Sequence, residues 1–287
     1  MKRREFMQVV GTGLLSTMIM PGLMGRLLIQ PVGRVSPAFN FDTEECSRIL
    51  AVGLGKTAAP SIAIISKDAP SVSCHHVIFD PNGKGTDLCD LLTKVRTSDL
   101  LFLVSAFDDA TCGPIFDALS AAALESGVTT VGIAPYSALP QAAKTASSIW
   151  PVSRLALPPL PLHAQNVAVE LSGWDWYAIR HLVVTVADII HHHSIICVDF
   201  ADVKSIIMSG TKGRMGVGVA PIESAKVAAI GALDRLTEQG FKISDGSGFL
   251  ACVRSSSAMT MNDFDAASRV LYETVPEDSD IISSLVM

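Results

Sequence analysis

The sequence lacks a basic excess and has few aromatic residues. It carries 22 Lys and Arg residues against 28 Asp and Glu residues, which gives a formal net charge of −6. Proteins that bind nucleic acids neutralise phosphates with a surplus of Lys and Arg, and they stack bases on aromatic rings. The 287 residues include only three Trp, three Tyr and eleven Phe. The composition therefore argues against a nucleic-acid partner.

Paired cysteines and metal-binding spacings are also lacking. The six cysteines form no CxxC pair and have no regular spacing; they are Cys46, Cys74, Cys89, Cys112, Cys197 and Cys252. Disulfide frameworks belong to short secreted chains, so buried free thiols fit this pattern better. The histidine run 191–193 does not converge either, because neighbours on a helix point about 100° apart. We predict a polar helix end there and no metal site.

Apolar residues are plentiful, at 49% of the chain, whereas charged residues make up 17%. This content is far too apolar for a disordered chain, and it supplies a large buried core. The length suits one large domain or two moderate ones.

Residues 1–38 form a separate segment. Arg3 and Arg4 precede an apolar stretch at 7–24, and small residues at 36–38 offer a cleavage site. A basic head, an apolar middle and such a site are typical of a twin-arginine export signal. The alternative is an N-terminal extension that stays on the protein and associates with a membrane through residues 1–30. The residues leave both interpretations open.

Strands and helices alternate in the first half. Apolar runs predict strands, and the segments between them have helical character. The predicted elements are a strand at 49–54, a helix through Ile65, a strand at 76–79, a strand at 100–106, a helix at 113–125 and strands at 129–134 and 148–152. Alternation at this spacing predicts an α/β fold, with a parallel sheet flanked by helices.

A long helix connects this half to a smaller α+β region. The proline-rich segment 157–161 is a predicted linker. Apolar residues then recur at helical spacing from Trp176 to Ile190. Beyond it, the pattern predicts a helix at 223–239, a strand at 249–253, a helix at 262–275 and a strand at 281–286. The last strand would leave a free edge for pairing with another chain.

Two acids, Asp199 and Asp202, lie three residues apart in a turn that follows the long helix. They can polarise a water or bind a metal, although such pairs are more often helix caps and surface groups. The surrounding sequence VDFADVK, followed by MGVGVA at 215–220 and preceded by VADII at 186–190, resembles FtsZ of the tubulin superfamily. In that family the loop belongs to one subunit and completes the GTPase site of the next.

The resemblance implies a tubulin/FtsZ GTPase-like, Rossmann-type fold. The implied organisation is a nucleotide-binding-like domain at 45–171, a central helix at 172–196, and the loop with a truncated C-terminal domain at 197–287. It also implies that Asp199 and Asp202 are the catalytic acids. The family's Asn at the start of this loop is Cys197 here, which puts full activity in doubt.

The nucleotide side of the resemblance is weaker. The family's glycine-rich turn GGGTGTG corresponds to FDDATCGP at 107–114, in which Thr111 and Gly113 match. Asp108 and Asp109 bring negative charge to the place of the phosphates, at a cost on the order of a few kcal/mol. The remaining implied nucleotide-binding residues are Gly53, Gly55, Arg154 and Asp175.

The resulting hypothesis is an FtsZ-like protein that forms or modulates filaments, with weakened or lost GTP binding and hydrolysis. One alternative is an active, polymerising cell-division GTPase, and another is an unrelated doubly wound enzyme. GTP or GDP with Mg²⁺ are the implied ligands. Self-association or co-assembly with an FtsZ-type protein is the implied partnership. The family implies the cytoplasm, and the N-terminal segment implies export or membrane tethering as the alternative.

Overall fold

The computed structural model describes residues 15–20, 27–28, 47–78, 88–134, 148–151, 176–191, 196, 198–210, 212–221, 224–256 and 258–286. The strands in chain order are β1 (Leu15–Met20), β2 (Leu27–Leu28), β3 (Ile49–Leu54), β4 (Val72–Val77), β5 (Leu100–Ser105), β6 (Thr129–Ala134), β7 (Ser148–Pro151), β8 (Gly216–Ala220), β9 (Gly248–Arg254) and β10 (Asp280–Val286). The α-helices are α1 (Ala59–Asp68), α2 (Leu88–Arg96), α3 (Cys112–Glu125), α4 (Trp176–His191), α5 (Phe200–Met208), α6 (Ala225–Glu238) and α7 (Met261–Thr274).

The first half forms a five-stranded sheet in the order β4-β3-β5-β6-β7, and every pairing in it is parallel. The strands β3, β5 and β6 are buried along their whole length. Alternate residues of these strands enter two cores, one shared with α1 and α4 and the other with α2 and α3. This arrangement confirms the predicted parallel sheet flanked by helices, because continuous apolar runs belong to strands covered on both faces.

The predicted long helix is α4, and it joins the two halves of the molecule. Its apolar residues share one core with strands of both sheets, including Phe102 and Leu250. Asp188 of α4 is 4% exposed and forms an ion pair with Arg254 at the end of β9. At the other end, Arg180 Nε lies 2.6 Å from Asp68 Oδ2 at the end of α1. The helix is therefore fixed to each half by charge as well as by packing.

The second sheet contains a strand that the sequence analysis did not predict. Its order is β10-β9-β1-β2-β8, and β1 also pairs directly with β8. Both long pairings of β1 are antiparallel. Residues 15–20, which fall in the apolar stretch interpreted as an export or membrane-associating segment, are thus an inner strand of the C-terminal sheet. Among the helices of the described residues, none has the length and apolar character needed to cross a membrane.

Close packing of α6 on β8 explains part of the MGVGVA segment. A Cβ atom on Gly218 would lie 1.9 Å from the backbone oxygen of Ala228 and 2.6 Å from the backbone nitrogen of Ala232. The small residues of the strand and the helix therefore allow their backbones to approach. Gly231, on the same helix, differs, because a Cβ there would meet only the Gly218 Cα at 3.7 Å.

We predict opposite effects for alanine at these two glycines. Gly218→Ala forces the strand and the helix apart and should lower the free energy of unfolding by about 1–3 kcal/mol. Gly231→Ala adds ordinary contact and removes a glycine from a helix interior, so it should raise that free energy by about 0.5–1 kcal/mol. Urea denaturation followed by circular dichroism checks both values, and equal effects of the two substitutions would contradict the packing described.

Candidate functional site

A cavity of about 390 Å³ opens at the carboxyl ends of β3, β4 and β5. It is lined by Leu54, Gly55, Lys56, Val77, Ile78, Asp108, Asp109, Thr111, Cys112 and Ile115. The chain passes from β3 outward to β4 and then back across β3 to β5. Ligands of open parallel sheets bind where the strand order reverses in this way, in the crevice outside the carboxyl ends. The cavity is therefore the place for a ligand in this fold.

The turn after β3 is held against β4. Gly55 has φ of 82°, a left-handed conformation that favours glycine. Its amide donates to the Val77 carbonyl at 3.0 Å, and its carbonyl lies 2.7 Å from His76 Nε2. These contacts fix the direction in which the following residues, Lys56 and Thr57, enter the short 3₁₀ helix that leads into α1.

The carboxylate of Asp108 caps this helical segment. Its Oδ2 accepts from the Thr57 amide at 2.9 Å and from Thr57 Oγ1 at 2.6 Å. A Cβ placed on Gly55 would lie 2.1 Å from Asp108 Oδ1, so the glycine is needed for this approach. Burial of Asp108 raises its pKa, but the hydrogen bonds from Thr57 outweigh that effect and hold the pKa below its ordinary value. The site thus favours a charged carboxylate.

The neighbouring carboxylate of Asp109 serves the other helix at the cavity. Its Oδ1 accepts from the amide and from the hydroxyl of Thr111, both at 2.8 Å, at the start of α3. The hydrogen bonds from Thr111 lower the pKa of Asp109 below its ordinary value, and the charge of Lys56 adds to this effect. Two adjacent acids therefore serve two different helix N-termini.

This capping changes what the cavity can bind. Helix N-termini bind phosphates because their free amides donate to the anion. Here the amides of Thr57 and Thr111 donate to carboxylates of the chain itself. Lys56 is exposed and supplies the cationic group of the cavity wall. Within the described ranges, no group of three or more His, Cys, Asp or Glu residues could hold a metal ion.

Of the remaining residues assigned to the nucleotide side, the two that the structure describes, Gly53 and Gly113, do not line the cavity. Gly53 lies inside β3, where a Cβ would meet Ile62 Cγ1 at 2.4 Å, so strand–helix packing accounts for it. Gly113 lies in the first turn of α3, and a Cβ there would meet nothing within 4 Å. Arg154 and Asp175 lie outside the described residues, as does Cys197.

Asp199 and Asp202 start the helix α5, which the sequence analysis treated as a turn. Asp199 is the N-cap, and its Oδ1 accepts from the Asp202 amide at 2.8 Å. Both acids are exposed, and neither lines the cavity. The sequence analysis kept open that these acids are helix caps, and this interpretation accounts for Asp199. The second acid has no such role and stays in the first turn of α5.

The helix α5 and the cavity lie at opposite ends of the strands of the first sheet. Asp99 immediately precedes β5, at its amino end. Burial raises the pKa of Asp99, but hydrogen bonds and charge from Arg48, together with the charge of Lys204 on α5, lower it below its ordinary value. A contact of the preceding helix agrees with this placement, because His191 Nε2 at the end of α4 lies 2.6 Å from the carbonyl oxygen of Ser47, two residues before β3. The end of α4 that precedes α5 is thus at the amino ends of the strands, whereas the cavity lies at their carboxyl ends. The acids of α5 and the cavity occupy opposite ends of this half.

Several site residues were missed by the sequence analysis. The negative charge of Asp108 and Asp109 was noticed, but their roles as caps were not. His76 and Cys112 were not identified, although the Cys112 Sγ lies 3.8 Å from Asp108 Oδ1. The available signal was an Asp two residues before Thr111, a spacing that favours a local side-chain cap. No sequence rule would have joined Asp108 to Thr57, which lies 51 residues away.

Comparison with known proteins supports the resemblance. No family model matches the chain. Cell division protein FtsZ 2 of Pyrococcus furiosus is 30% identical over 128 residues, which are 44% of this chain and 29% of that protein. A mutant FtsZ from M. jannaschii has 16% identity and a TM-score of 0.64, covering 84% of this chain and 86% of that one. The empty FtsZ dimer from M. jannaschii has 14% identity and a TM-score of 0.63, over 84% and 83% of the two chains.

The matched sequence spans less than a third of the length of the Pyrococcus relative, whereas the structural match covers most of both chains. The predicted fold class is therefore confirmed by the solved structures, and the related sequence agrees with it. The chain therefore has a fold similar to that of FtsZ, and 128 of its residues are similar in sequence to an FtsZ relative.

Proposed function

We propose that this protein forms filaments or modulates the filaments of an FtsZ-type partner, and that its own GTP binding and hydrolysis are weakened or lost. The observation that carries the proposal is the hydrogen-bonded contact between Asp108 and Thr57 at the mouth of the cavity. In this fold the same position would have to accept the phosphates of a nucleotide. A carboxylate that already holds the amide removes a donor and adds a repulsive charge.

The repulsion is large enough to matter. Two unit charges 4 Å apart interact with about 4 kcal/mol at the effective dielectric constant typical of a protein surface. Because Asp108 is exposed, solvent and salt screen part of this repulsion, and a penalty of about 2–3 kcal/mol corresponds to roughly a hundredfold loss of affinity. Lys56 and a bound Mg²⁺ would offset part of it, since both are cationic, but Asp109 adds a second negative charge beside the first.

The separation of α5 from the cavity supports assembly in one direction. A head-to-tail interface uses different surfaces on the two subunits and extends into a filament when the rotation does not close. Because Asp199 and Asp202 lie away from the cavity of their own subunit, they could act only at the cavity of a neighbour. One of the similar solved structures is an FtsZ dimer. Self-association or co-assembly with an FtsZ-type protein follows as part of this proposal.

A second candidate function is an active cell-division GTPase. The observation that favours it is the survival of Gly55 and Lys56 on the cavity wall, where a close backbone approach and a cation are both available. In this alternative, GTP displaces Asp108, and Mg²⁺ neutralises the two carboxylates. The relative from Pyrococcus is named a cell division protein, and we extend that process, with the cytoplasm as its location, to this chain only as part of the proposal.

The first test is the affinity of the full chain for GTP with Mg²⁺, by calorimetry. We expect no binding below about 1 mM for the natural protein, because Asp108 holds the Thr57 amide. Asp108→Gly frees the amide and removes one negative charge, so we expect its affinity to be about a hundredfold higher or more. Micromolar binding by the natural protein would instead favour the active GTPase.

Two variants serve as controls for this measurement. Asp108→Asn keeps an acceptor for Thr57 but removes the charge, and it should give an intermediate affinity. Asp109→Asn removes an equal charge next to Thr111 while leaving the contact between Asp108 and Thr57 in place. If all three substitutions raise the affinity equally, charge alone matters and the capping contact is not the cause.

The second test addresses the acids of α5. We expect Asp202→Asn in the full chain to leave stability unchanged and to abolish any effect of this protein on GTP hydrolysis by an active FtsZ in a mixed assembly. The reason is that Asp202 is exposed and would face the neighbour's nucleotide. Phosphate release in the mixture, together with co-sedimentation, checks this. Unchanged hydrolysis with Asp202→Asn would exclude a role for this acid in trans.

The free energy of unfolding distinguishes the role of Asp199 as a helix cap from its proposed role as a catalytic acid. Asp199→Ala removes the N-cap and should lower the free energy of unfolding by about 1 kcal/mol. Asp199→Asn keeps a capping oxygen and should have the stability of the natural protein. A loss of effect on the partner's hydrolysis with Asp199→Asn therefore reports the charge alone. Thermal denaturation of the two variants provides the comparison.

A further inference from the structure

The strand β1 occupies a slot between two strands that are distant from it in sequence. Its residues 16–20 pair with 250–254 of β9, and its residues 15–19 pair with 216–220 of β8. The helix α6 packs across both β8 and β1. A strand of the C-terminal half is thus supplied by the N-terminal end of the chain.

Without β1, its two neighbours would be separated by about 9.5 Å, since adjacent strands lie about 4.7–4.9 Å apart. Their facing amides and carbonyls would lose their partners beneath α6, and buried backbone groups of this kind are almost always paired. Gly218 of β8, opposite Thr17, is also the point at which α6 approaches most closely. The slot is therefore a position for one strand, with a hydrogen-bonding edge on each side, and β1 occupies it.

The same strand stabilises the contact between the two halves. Arg254 lies opposite Ser16 at the end of β9, and its side chain forms the ion pair with the buried Asp188 of α4. Loss of β1 would release the backbone next to Arg254 on one side. β1 is therefore one of two strands that hold β9 in place, since β9 also pairs along its whole length with β10.

We propose that the N-terminal strand is a permanent part of the folded protein, and that the slot between β8 and β9 is a specific docking site for residues 15–20 of this chain. The segment that resembles an export signal then supplies an inner strand of the second sheet. Residues 1–38 would accordingly stay on the protein. Cleavage at 36–38 would cut the connection to the body while leaving the strand bound in its slot.

The first experiment inserts the recognition sequence of a specific protease after Ala38 in the full chain. After cleavage under native conditions, the N-terminal fragment should elute with the body in size-exclusion chromatography and should separate only in denaturant. The amides of β8 and β9 that face β1 should keep their protection from hydrogen exchange. Release of the fragment from a body that keeps this protection would overturn the proposal.

A pair of substitutions at Thr17 tests the backbone pairing directly. Thr17→Pro removes an amide from a strand with neighbours on both sides, whereas Thr17→Val keeps it and suits a strand. In the cleaved protein, the fragment with Thr17→Pro should dissociate at least tenfold faster than the natural fragment, and the fragment with Thr17→Val should not. Equal dissociation rates would contradict the pairing, and the cleaved natural protein remains a test if Thr17→Pro prevents folding.

A synthetic peptide of residues 12–30 distinguishes a specific slot from general stickiness. Added in large excess to the cleaved protein under native conditions, the fluorescently labelled peptide should exchange with the natural fragment and bind, as judged by anisotropy. A scrambled peptide should not bind, and the uncleaved full chain should not bind the natural peptide because its slot is filled. Binding of the scrambled peptide, or of the natural peptide to the uncleaved chain, would contradict a specific site.

Discussion

The hydrogen bonds that Thr57 donates to Asp108 determine the state of the whole cavity. They join the turn after β3 to the turn after β5, the two strands between which the sheet reverses its order. A carboxylate at this point satisfies helix amides that would otherwise need an external anion. Asp109 accepts in the same way from the amide of Thr111, the residue that precedes α3, so one amide at each of the two turns donates to a carboxylate of the chain itself. Under the proposed function, these two contacts compete with the phosphates of a nucleotide for the same amides.

The division of the first half into two ends gives the proposed assembly its direction. In a parallel sheet all strands point the same way, so the carboxyl ends hold the cavity and the amino ends face the region of α5. Under the proposed function, a subunit that has lost its own nucleotide still presents Asp199 and Asp202 to a neighbour, because neither acid lines the cavity. The two functions can therefore be lost separately, and a chain with one intact end could modulate a filament of complete partners.

The parallel sheet was predictable because its three inner strands are continuous apolar runs, and α4 because its apolar residues keep helical spacing over four turns. The edge strand β4 has no such run, and the sequence analysis put it at 76–79 instead of Val72–Val77. The helix α5 was missed because the sequence analysis interpreted Asp199 and Asp202 as part of a turn, whereas Asp199 is the N-cap of the helix that begins at Phe200. The strand β1 was missed for a deeper reason: its partners lie about 200 residues away, and its apolar run also fits an export signal.

In the site, the charges of Asp108 and Asp109 were visible in the sequence, but the partner of Asp108 is a tertiary contact that no local pattern specifies.

Under our two proposals, Asp108 and β1 act by the same physical principle: each part of the chain occupies a place that an added ligand, a phosphate or a free copy of the strand, would otherwise enter. An intramolecular group competes at an effective concentration that reaches the millimolar range even for flexible tethers. Asp108 is held much more rigidly than that, on a turn at the end of a buried strand, so a phosphate must displace it against a high local concentration as well as against its charge. The strand β1 has a longer tether, with 20 residues between β2 and β3. Its effective concentration at the slot is lower for that reason, but it falls only slowly as a tether lengthens. A free copy of the strand would therefore enter the slot only after the tethered one is removed, whereas the cavity responds to a single substitution at Asp108.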